Sequence, residues 1–496
     1  MSTGLYRTAQ VRELDRRVLA AQGIAGYELM QRAGRAVYAF VRRQYPGFCA
    51  KPARLLVVCG GGKNGGDGYV AAVLLHQAGY KVDVLPLVPL TELKGDVLTA
   101  AQAWRNCCNQ PPATLQSNLE VYDLIIDALL GTGLQRPVVG EFAAVINRIN
   151  QMACPVIAVD VPSGLQADTG QPFPLAIDAD HTITFIAPKQ GLYTGHAADY
   201  CGRIHVHDLD APVDIYEQCI PSARLLQPEP IIASLPKRRP TAHKGEFGHV
   251  LVIGGDIGMQ GAAQMAGLAA LRSGAGLTTI ATRKMHAALL SAQQPELMSY
   301  PVEQASTLKP LLGKATVIAV GPGLGQTPWA KKLLAAALAA ELPLVVDADG
   351  LNLLALKPVA RGNWIITPHP GEAARLLNLS TAEVQADRYA AVQQLAQRYA
   401  AVAVLKGSGT LIAAPDDPVV RVCDRGHPAM AGGGMGDILT GIIAGLLAQG
   451  MDLLSAAEAA VWLHARSGER AAAGGSGLLA TDLLPQLQRL LIHAGI

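Results

Sequence analysis

Gly426-His427-Pro428-Ala429-Met430-Ala431-Gly432-Gly433-Gly434-Met435-Gly436-Asp437-Ile438-Leu439-Thr440-Gly441 is a glycine loop that runs into an apolar stretch. The spacing predicts a helix from Ile438 to about Gln449, ended by Gly450. Glycine has no Cβ, so its backbone amides can approach a ligand closely. A helix N-terminus adds free N–H groups and a partial positive charge, which together suit a phosphate. A carboxylate repels phosphate, so Asp437 needs another role. One is a helix N-cap; the other is a general base beside an anion hole, worth about 10²–10⁴-fold in rate. The Gly-Gly-x-Gly-Asp pattern favours the base.

Upstream of this stretch the second half reads as repeated strand, loop and helix. Short apolar runs at 250–253, 316–320, 344–346, 364–367 and 402–405 end respectively in Gly254-Gly255-Asp256, Gly321–Gly325, Asp347-Ala348-Asp349, Pro368-His369-Pro370-Gly371-Glu372 and Lys406-Gly407-Ser408-Gly409-Thr410. Such runs fit parallel strands buried on both faces. A helix rich in small residues at 261–273 implies close packing against the sheet. His369, between two prolines at a strand end, is divided evenly between a structural and a site role. The lysine, glycines and hydroxyls of 406–410 favour a nucleotide over a simple turn.

The first half repeats the pattern. The run 54–59 leads into Gly60-Gly61-Gly62-Lys63-Asn64-Gly65-Gly66-Asp67-Gly68, read as a loop before a helix at 69–78. This is neither GxGxxG nor a Walker A loop. Further strands at 81–87, 124–127, 156–161 and 182–187 place Asp127 and Asp160 at strand ends, where open α/β sheets bind ligands. Asn64, Asp127 and Ser163 supply hard oxygen donors suited to a monovalent or hard divalent cation. Gly131-Thr132-Gly133-Leu134 forms a further loop at the same edge, and Lys189 reads as a surface lysine. Proline clusters across 211–240, which puts a domain boundary near 217–228: a first domain at 1–220, a linker at 221–228 and a second domain at 229–496.

Composition narrows the class. A chain of 496 residues that is 50% hydrophobic and 16% charged implies two or three well-buried globular domains. The net charge of +2 argues against a dedicated nucleic-acid surface. The 8 cysteines contain no CxxC and read as reduced thiols in a cytoplasmic protein. The charged helix expected at 7–17 is no signal peptide, and no apolar run approaches the ~20 residues of a membrane span. No Cys/His metal cluster and no GxSxG elbow occur. A homo-oligomer without nucleic-acid or membrane partners is expected.

The Lys406–Thr410 and Gly433–Asp437 stretches together resemble the ribokinase-like superfamily. With His243-Lys244-Gly245, Gly321–Gly325 and Pro368–Glu372, the second domain is more narrowly similar to ADP-dependent NAD(P)H-hydrate dehydratases. The first domain, through Gly60–Gly68 and Val159–Gly164, resembles NAD(P)H-hydrate epimerases, and the fusion resembles the bifunctional NAD(P)H-hydrate repair family. The resemblance implies a Rossmann-like three-layer αβα sandwich followed by a ribokinase-like αβα domain. It implies that the substrates are hydrated NADH and NADPH (NADHX and NADPHX) together with ADP. The first domain would interconvert the R and S hydrates. The second would use ADP to phosphorylate and dehydrate the S hydrate, releasing AMP and phosphate.

By match, Asn64, Asp127 and Ser163 would bind K⁺. Lys63, Asn64, Gly65, Gly66, Asp67, Gly131, Thr132, Gly133, Leu134, Gln135, Arg136, Pro137 and Asp160 would line the epimerase site, with Asp160 as acid/base. Ala262, Gly325, His369 and Asp437 would contact the hydrate at the dehydratase site. Lys406, Gly407, Ser408, Gly409, Thr410 and Gly436 would hold the nucleotide, with Mg²⁺ accompanying ADP. Lys63 stands where the family pattern has Asn, and Gly432 where it has Ser or Thr. The alternative reading is a ribokinase-like small-molecule kinase with a non-catalytic N-terminal binding module.

Overall fold

The computed structural model describes residues 3–50, 53–108, 110–114, 121–473, 475 and 477–493. The chain is α/β and divides into two compact units, Ser2–Ala223 and Arg224–Ile496. The stretch expected to be a linker carries a strand, Ala223–Leu225, followed by the helix Pro228–Ser234. The Leu226 N–H donates to the Val422 carbonyl at 2.9 Å, so this proline-rich segment is tied into the second unit's sheet. Proline is tolerated at the helix start because the first-turn N–H groups have no intrahelical partner.

The first unit is built on a six-stranded sheet in the spatial order Lys81–Pro86, Arg54–Cys59, Leu124–Ala128, Val156–Val159, His181–Phe185, Arg203–His207. Every pairing is parallel. Alternate side chains of Arg54–Cys59 point to opposite faces, as a strand's period of two requires. Leu55, Val57 and Cys59 pack with the helices Thr8–Gln22, Gly26–Gln44, Lys63–Gln77 and Gly95–Cys107. Leu56 and Val58 pack with Gly140–Ile149. The result is the three-layer sandwich. Strand order reverses between Arg54–Cys59 and Leu124–Ala128, and ligands in such sheets bind in the crevice beyond the carboxyl ends at that switch point.

The glycine stretch at this point differs from its reading as a loop. The helix begins at Lys63, so Asn64, Gly65, Gly66 and Asp67 occupy its first turns and only Gly60–Gly62 form the connection. The glycines serve close approach: a Cβ on Gly65 would lie 1.9 Å from the Gly60 carbonyl oxygen, and one on Gly60 would lie 1.9 Å from that of Leu129.

In the second unit the strands run Val420–Cys423, Thr410–Ala413, Val402–Leu405, Trp364–Ile366, Leu344–Val346, Val317–Val320, His249–Ile253, Leu277–Thr282, Met298–Pro301. Pairings are parallel from Met298–Pro301 to Val402–Leu405 and antiparallel for the last two. Order reverses between His249–Ile253 and Val317–Val320, where the Asp256 N–H donates to the Gly323 carbonyl.

The helix Met435–Ala448 starts earlier than expected because Gly434, at φ 88°, caps it in the left-handed region. Its neighbour is Gln260–Arg272, whose small residues serve approach to this helix as well as the expected packing on the sheet, where a Cβ on Gly267 would lie 3.2 Å from Ile280. A Cβ on Gly441 would lie 2.1 Å from the Ala266 carbonyl oxygen, and one on Gly445 2.1 Å from the Ser273 hydroxyl.

Candidate active sites

In the first unit, a cavity of about 490 Å³ opens at the switch point. Its lining includes Lys63, Asn64, Asp67, Gly131, Thr132, Gly133, Leu134 and Asp160, all expected there, together with Arg12, Asp15 and Lys189, which were not. Gly65 and Gly66, buried in the helix, and Gln135, Arg136 and Pro137 are not among the lining residues.

Asp160 follows strand Val156–Val159 with φ 67°, a left-handed conformation that costs a non-glycine residue about 1–3 kcal/mol. Its N–H donates to the Ile183 carbonyl at 2.7 Å. Its Oδ1 accepts from the Lys189 ammonium and from the Phe185 N–H. Lys189 is 1% exposed, which overturns its reading as a surface lysine. Its Nζ also donates to the Thr184 hydroxyl and the Phe185 carbonyl, each at 2.9 Å. A buried ammonium needs such partners. The signal missed in the sequence was Lys189 itself, since its burial comes from the strand His181–Phe185 folding it back onto Asp160.

Asn64, Asp127 and Ser163 also converge. The Ser163 Oγ lies 2.6 Å from Asp127 Oδ1, and the Ser163 N–H donates to Asp127 Oδ2 at 2.8 Å. The Leu130 N–H donates to Ser163 Oγ, and Asn64 Nδ2 donates to the Leu130 carbonyl at 3.0 Å. Asn64 Oδ1 is buried with no hydrogen-bond partner among the described residues. Burial pushes the fully buried Asp127 carboxyl up to about 6, against the hydrogen bonds from Ser163 and Leu129.

In the second unit, the strand ends deliver a carboxylate cluster around one lysine. Asp347 is 1% exposed. It accepts from Lys406 Nζ at 2.7 Å and from the Thr440 hydroxyl at 2.7 Å. Burial alone would raise its carboxyl, but Lys406 and Thr440 outweigh this and hold it below the usual carboxylate range. Ala348, at φ 47°, forms the sharp turn between Asp347 and Asp349. Asp349 Oδ2 accepts from the Gly325 N–H at 2.8 Å. Glu372 lies 3.9 Å from Lys406 and is raised by burial. Burial lowers Lys406, but Asp347, Glu372 and Asp437 more than offset that and shift it upward, so it stays charged.

Asp437 stands in the first turn of Met435–Ala448. Burial, then the Asp347 charge, push its carboxyl up to about 7. A Cβ on Gly436 would lie 3.2 Å from Lys406 Nζ and 3.4 Å from Asp347 Oδ2, so this glycine leaves the space beside both. Ala262 approaches the Gly321–Gly325 loop, its Cβ 3.1 Å from where a Gly323 Cβ would be.

His369 caps the helix Pro370–Leu377. Its Nδ1 accepts from the Gly371 N–H at 3.0 Å, and its own N–H donates to Glu372 Oε2 at 2.8 Å. Its rigidity therefore comes from a reciprocal cap as well as from the prolines. The nucleotide stretch turns at Gly407 (φ 131°) and Gly409 (φ 60°), with the Thr410 hydroxyl donating to the Gly407 carbonyl. Behind it the buried Arg388, unflagged by the sequence, donates to the Leu405 and Lys406 carbonyls.

The folds and the two sites define a fusion of two α/β catalytic units, the second of ribokinase-like design. A family model described as "NAD(P)H-hydrate dehydratase" matches residues 250–489, and one described as "YjeF-related protein N-terminus" matches residues 26–191. The chain is 48% identical to the bifunctional NAD(P)H-hydrate repair enzyme of Coxiella burnetii over 99% of both chains. It is 44% identical to that of Escherichia coli over 97% of this chain and 92% of that one. Among solved structures, a ribokinase-like superfamily protein from Enterococcus faecalis matches 55% of this chain and 96% of its own, at 30% identity and a TM-score of 0.51. The chain belongs to the bifunctional NAD(P)H-hydrate repair enzymes.

Proposed function

We infer that this chain repairs hydrated NADH and NADPH. The first unit epimerises the R and S hydrates, and the second dehydrates the S hydrate at the expense of ADP. The observation that carries this reading is the full-length similarity to enzymes of that name, with a separate acid/base-bearing site in each unit. In the second unit Asp437 takes the proton of the ring hydroxyl as that oxygen attacks the terminal phosphorus of ADP. AMP leaves, and elimination of phosphate restores the ring double bond. Lys406 neutralises charge at the transferred group, and the 406–410 turn with Gly436 holds the nucleotide. Ala262, Gly325 and His369 face the hydrate. Mg²⁺ bound with ADP would supply charge neutralisation at the phosphates, and the carboxylates beside Lys406 are hard donors suited to it.

The kinase alternative is disfavoured by the same similarity, which covers both units. To test the reading, purified protein is given both hydrate epimers with ADP, Mg²⁺ and K⁺, and the reduced-nicotinamide absorbance is followed. Recovery of both epimers is expected. A stable phosphorylated product, without that absorbance, would overturn the reading in favour of a kinase.

For the first unit we propose K⁺ held by Asn64, Asp127 and Ser163. The buried, unpartnered Asn64 Oδ1 beside a buried carboxylate is the donor set a hard cation fits. The bound cation would stiffen the Leu130 turn that these residues share, and so fix the Gly131–Leu134 wall of the cavity. Loss of outer-shell partners already costs about 10–100-fold in metal affinity, so loss of a direct donor should cost at least about ten-fold. Asn64→Ala is therefore expected to raise the K⁺ concentration for half-maximal epimerisation by that factor or more. A K⁺ titration of R-to-S conversion checks it; an unchanged midpoint would remove Asn64 from the site.

A further inference from the structure

The cavity of the first unit is lined by four carboxylates, Asp15, Asp67, Asp96 and Asp160, and the surroundings of Asp67 and Asp160 separate their roles. Lys189 has three N–H bonds and all are engaged, with Asp160 Oδ1, the Thr184 hydroxyl and the Phe185 carbonyl. It anchors Asp160 and has no proton free for a ligand. Asp160 Oδ1 is thereby fixed, and its Oδ2 has no protein partner among the described residues. Asp67, one turn into the helix Lys63–Gln77, lines the same cavity, and its side chain makes no hydrogen bond or ion pair among the described residues.

Other charged groups come from the elements around it. Asp15 and Arg12 project from Thr8–Gln22, Asp96 from Gly95–Cys107, Lys63 from Asp67's own helix, and Asp160 and Lys189 from the segments that follow strands Val156–Val159 and His181–Phe185. Burial, then the Asp160 and Asp15 charges, push the Asp67 carboxyl well above the usual range, against weaker pulls from Lys63 and Lys189. Asp15 is raised only to about 6, with Lys189 the first charge to oppose its burial. Of the Asp160 and Asp67 carboxyls, the first is paired with an ammonium and the second is unpaired, and such a difference in surroundings is how acid and base are assigned in carboxylate pairs.

We propose that Asp67 is the general acid of epimerisation, donating a proton to the departing ring hydroxyl, while Asp160, anchored by Lys189, accepts one from the water that returns. This rests on the epimerase reading of the unit. The carbon–oxygen bond of the hydrated ring carbon breaks with its electron pair leaving on oxygen. The Asp67 proton converts that oxygen to water, and the lone pair of the adjacent ring nitrogen stabilises the resulting cation. Water adds to the other face, a new carbon–oxygen bond forms, and its excess proton passes to Asp160. One proton has moved from Asp67 to Asp160, and exchange with solvent returns it. No oxidant or reductant enters.

The test is R-to-S interconversion in the full chain, with the epimers separated by chromatography and without ADP. Wild type is expected to lose activity as pH rises and Asp67 ionises. Asp67→Asn, nearly isosteric with the neutral acid, should melt no lower than wild type, lose about 10²–10⁴-fold in rate and lose that high-pH limb. Added small carboxylic acids should restore part of the rate in Asp67→Asn, and Asp67→Glu should retain a displaced limb. Wild-type rate in Asp67→Asn, or a loss with the limb intact, overturns the assignment. So does a loss that no added acid rescues while Asp67→Glu is also inactive. Absence of interconversion in wild type overturns the epimerase reading and the assignment together, which distinguishes the two failures.

Discussion

Asp437→Asn is expected to lower ADP-dependent recovery of the S hydrate by about 10²–10⁴-fold, the range a positioned general base supplies. The substitution keeps the shape of the side chain and removes the base. The group sits at about 7 because burial and then the Asp347 charge disfavour its ionised form. A base works only when ionised, so the wild-type rate should rise with pH through about 7 and level off above it, and the limb should vanish in the variant.

Stability supplies an independent sign. The folded carboxyl binds its proton more tightly than the unfolded one, at about 7 against an ordinary 3.8. The stabilisation from that proton is complete below the unfolded value and is lost as pH rises through the folded one. Asparagine carries no such loss, so the variant should melt at a higher temperature than wild type at pH 8, with the gap closing by about pH 4. Melting curves at both pH values measure it. A less stable variant at pH 8 would contradict the burial argument, and an active one would remove Asp437 as base.

Lys189→Met should have the second-largest effect, in the other unit. The methionine fills the volume of the aliphatic stem but leaves Asp160 beside a buried, uncompensated environment. Removing one partner of a buried pair costs about 3–5 kcal/mol. Lys189 is 1% exposed and the Asp160 side chain 16%, so solvent relieves little of that. Protonation of Asp160 is the escape. A buried charge without its partner costs most where it must be ionised, so the penalty grows as pH rises. Epimerisation should fall by about 10²-fold or more, since the acceptor of the returning water's proton is lost, while dehydration of supplied S hydrate continues. Denaturant melts at acid and neutral pH, with both activities measured on one preparation, check this. A variant that loses both activities equally would indicate general misfolding rather than a loss at Asp160.

Most of the architecture was readable because its signals are local. Continuous apolar runs such as Leu55–Val58 and Val317–Val320 can only be buried strands, and glycine clusters after them mark where backbone must come close to something. The strand-end residues Asp127, Asp160 and Asp347, and Asn64 and Asp437 in the glycine stretches, were visible for the same reason. The helix starts at Lys63 and Met435 were misplaced because glycine was read as a loop former, whereas here it serves close contact in a first helical turn.

The sequence by itself determined the α/β class, the position of each strand-end loop and the residue types able to do acid, base and phosphate chemistry. Those follow from hydrophobic period and side-chain chemistry, which are properties of a few consecutive residues. Tertiary structure alone decided which charges are buried and with whom. Lys189 pairs with Asp160, Lys406 reaches back to Asp347, and Thr440 donates to that same carboxylate from another helix. Strand order brings these residues together, and burial and partners, which set proton affinity, exist only once the sheet has formed.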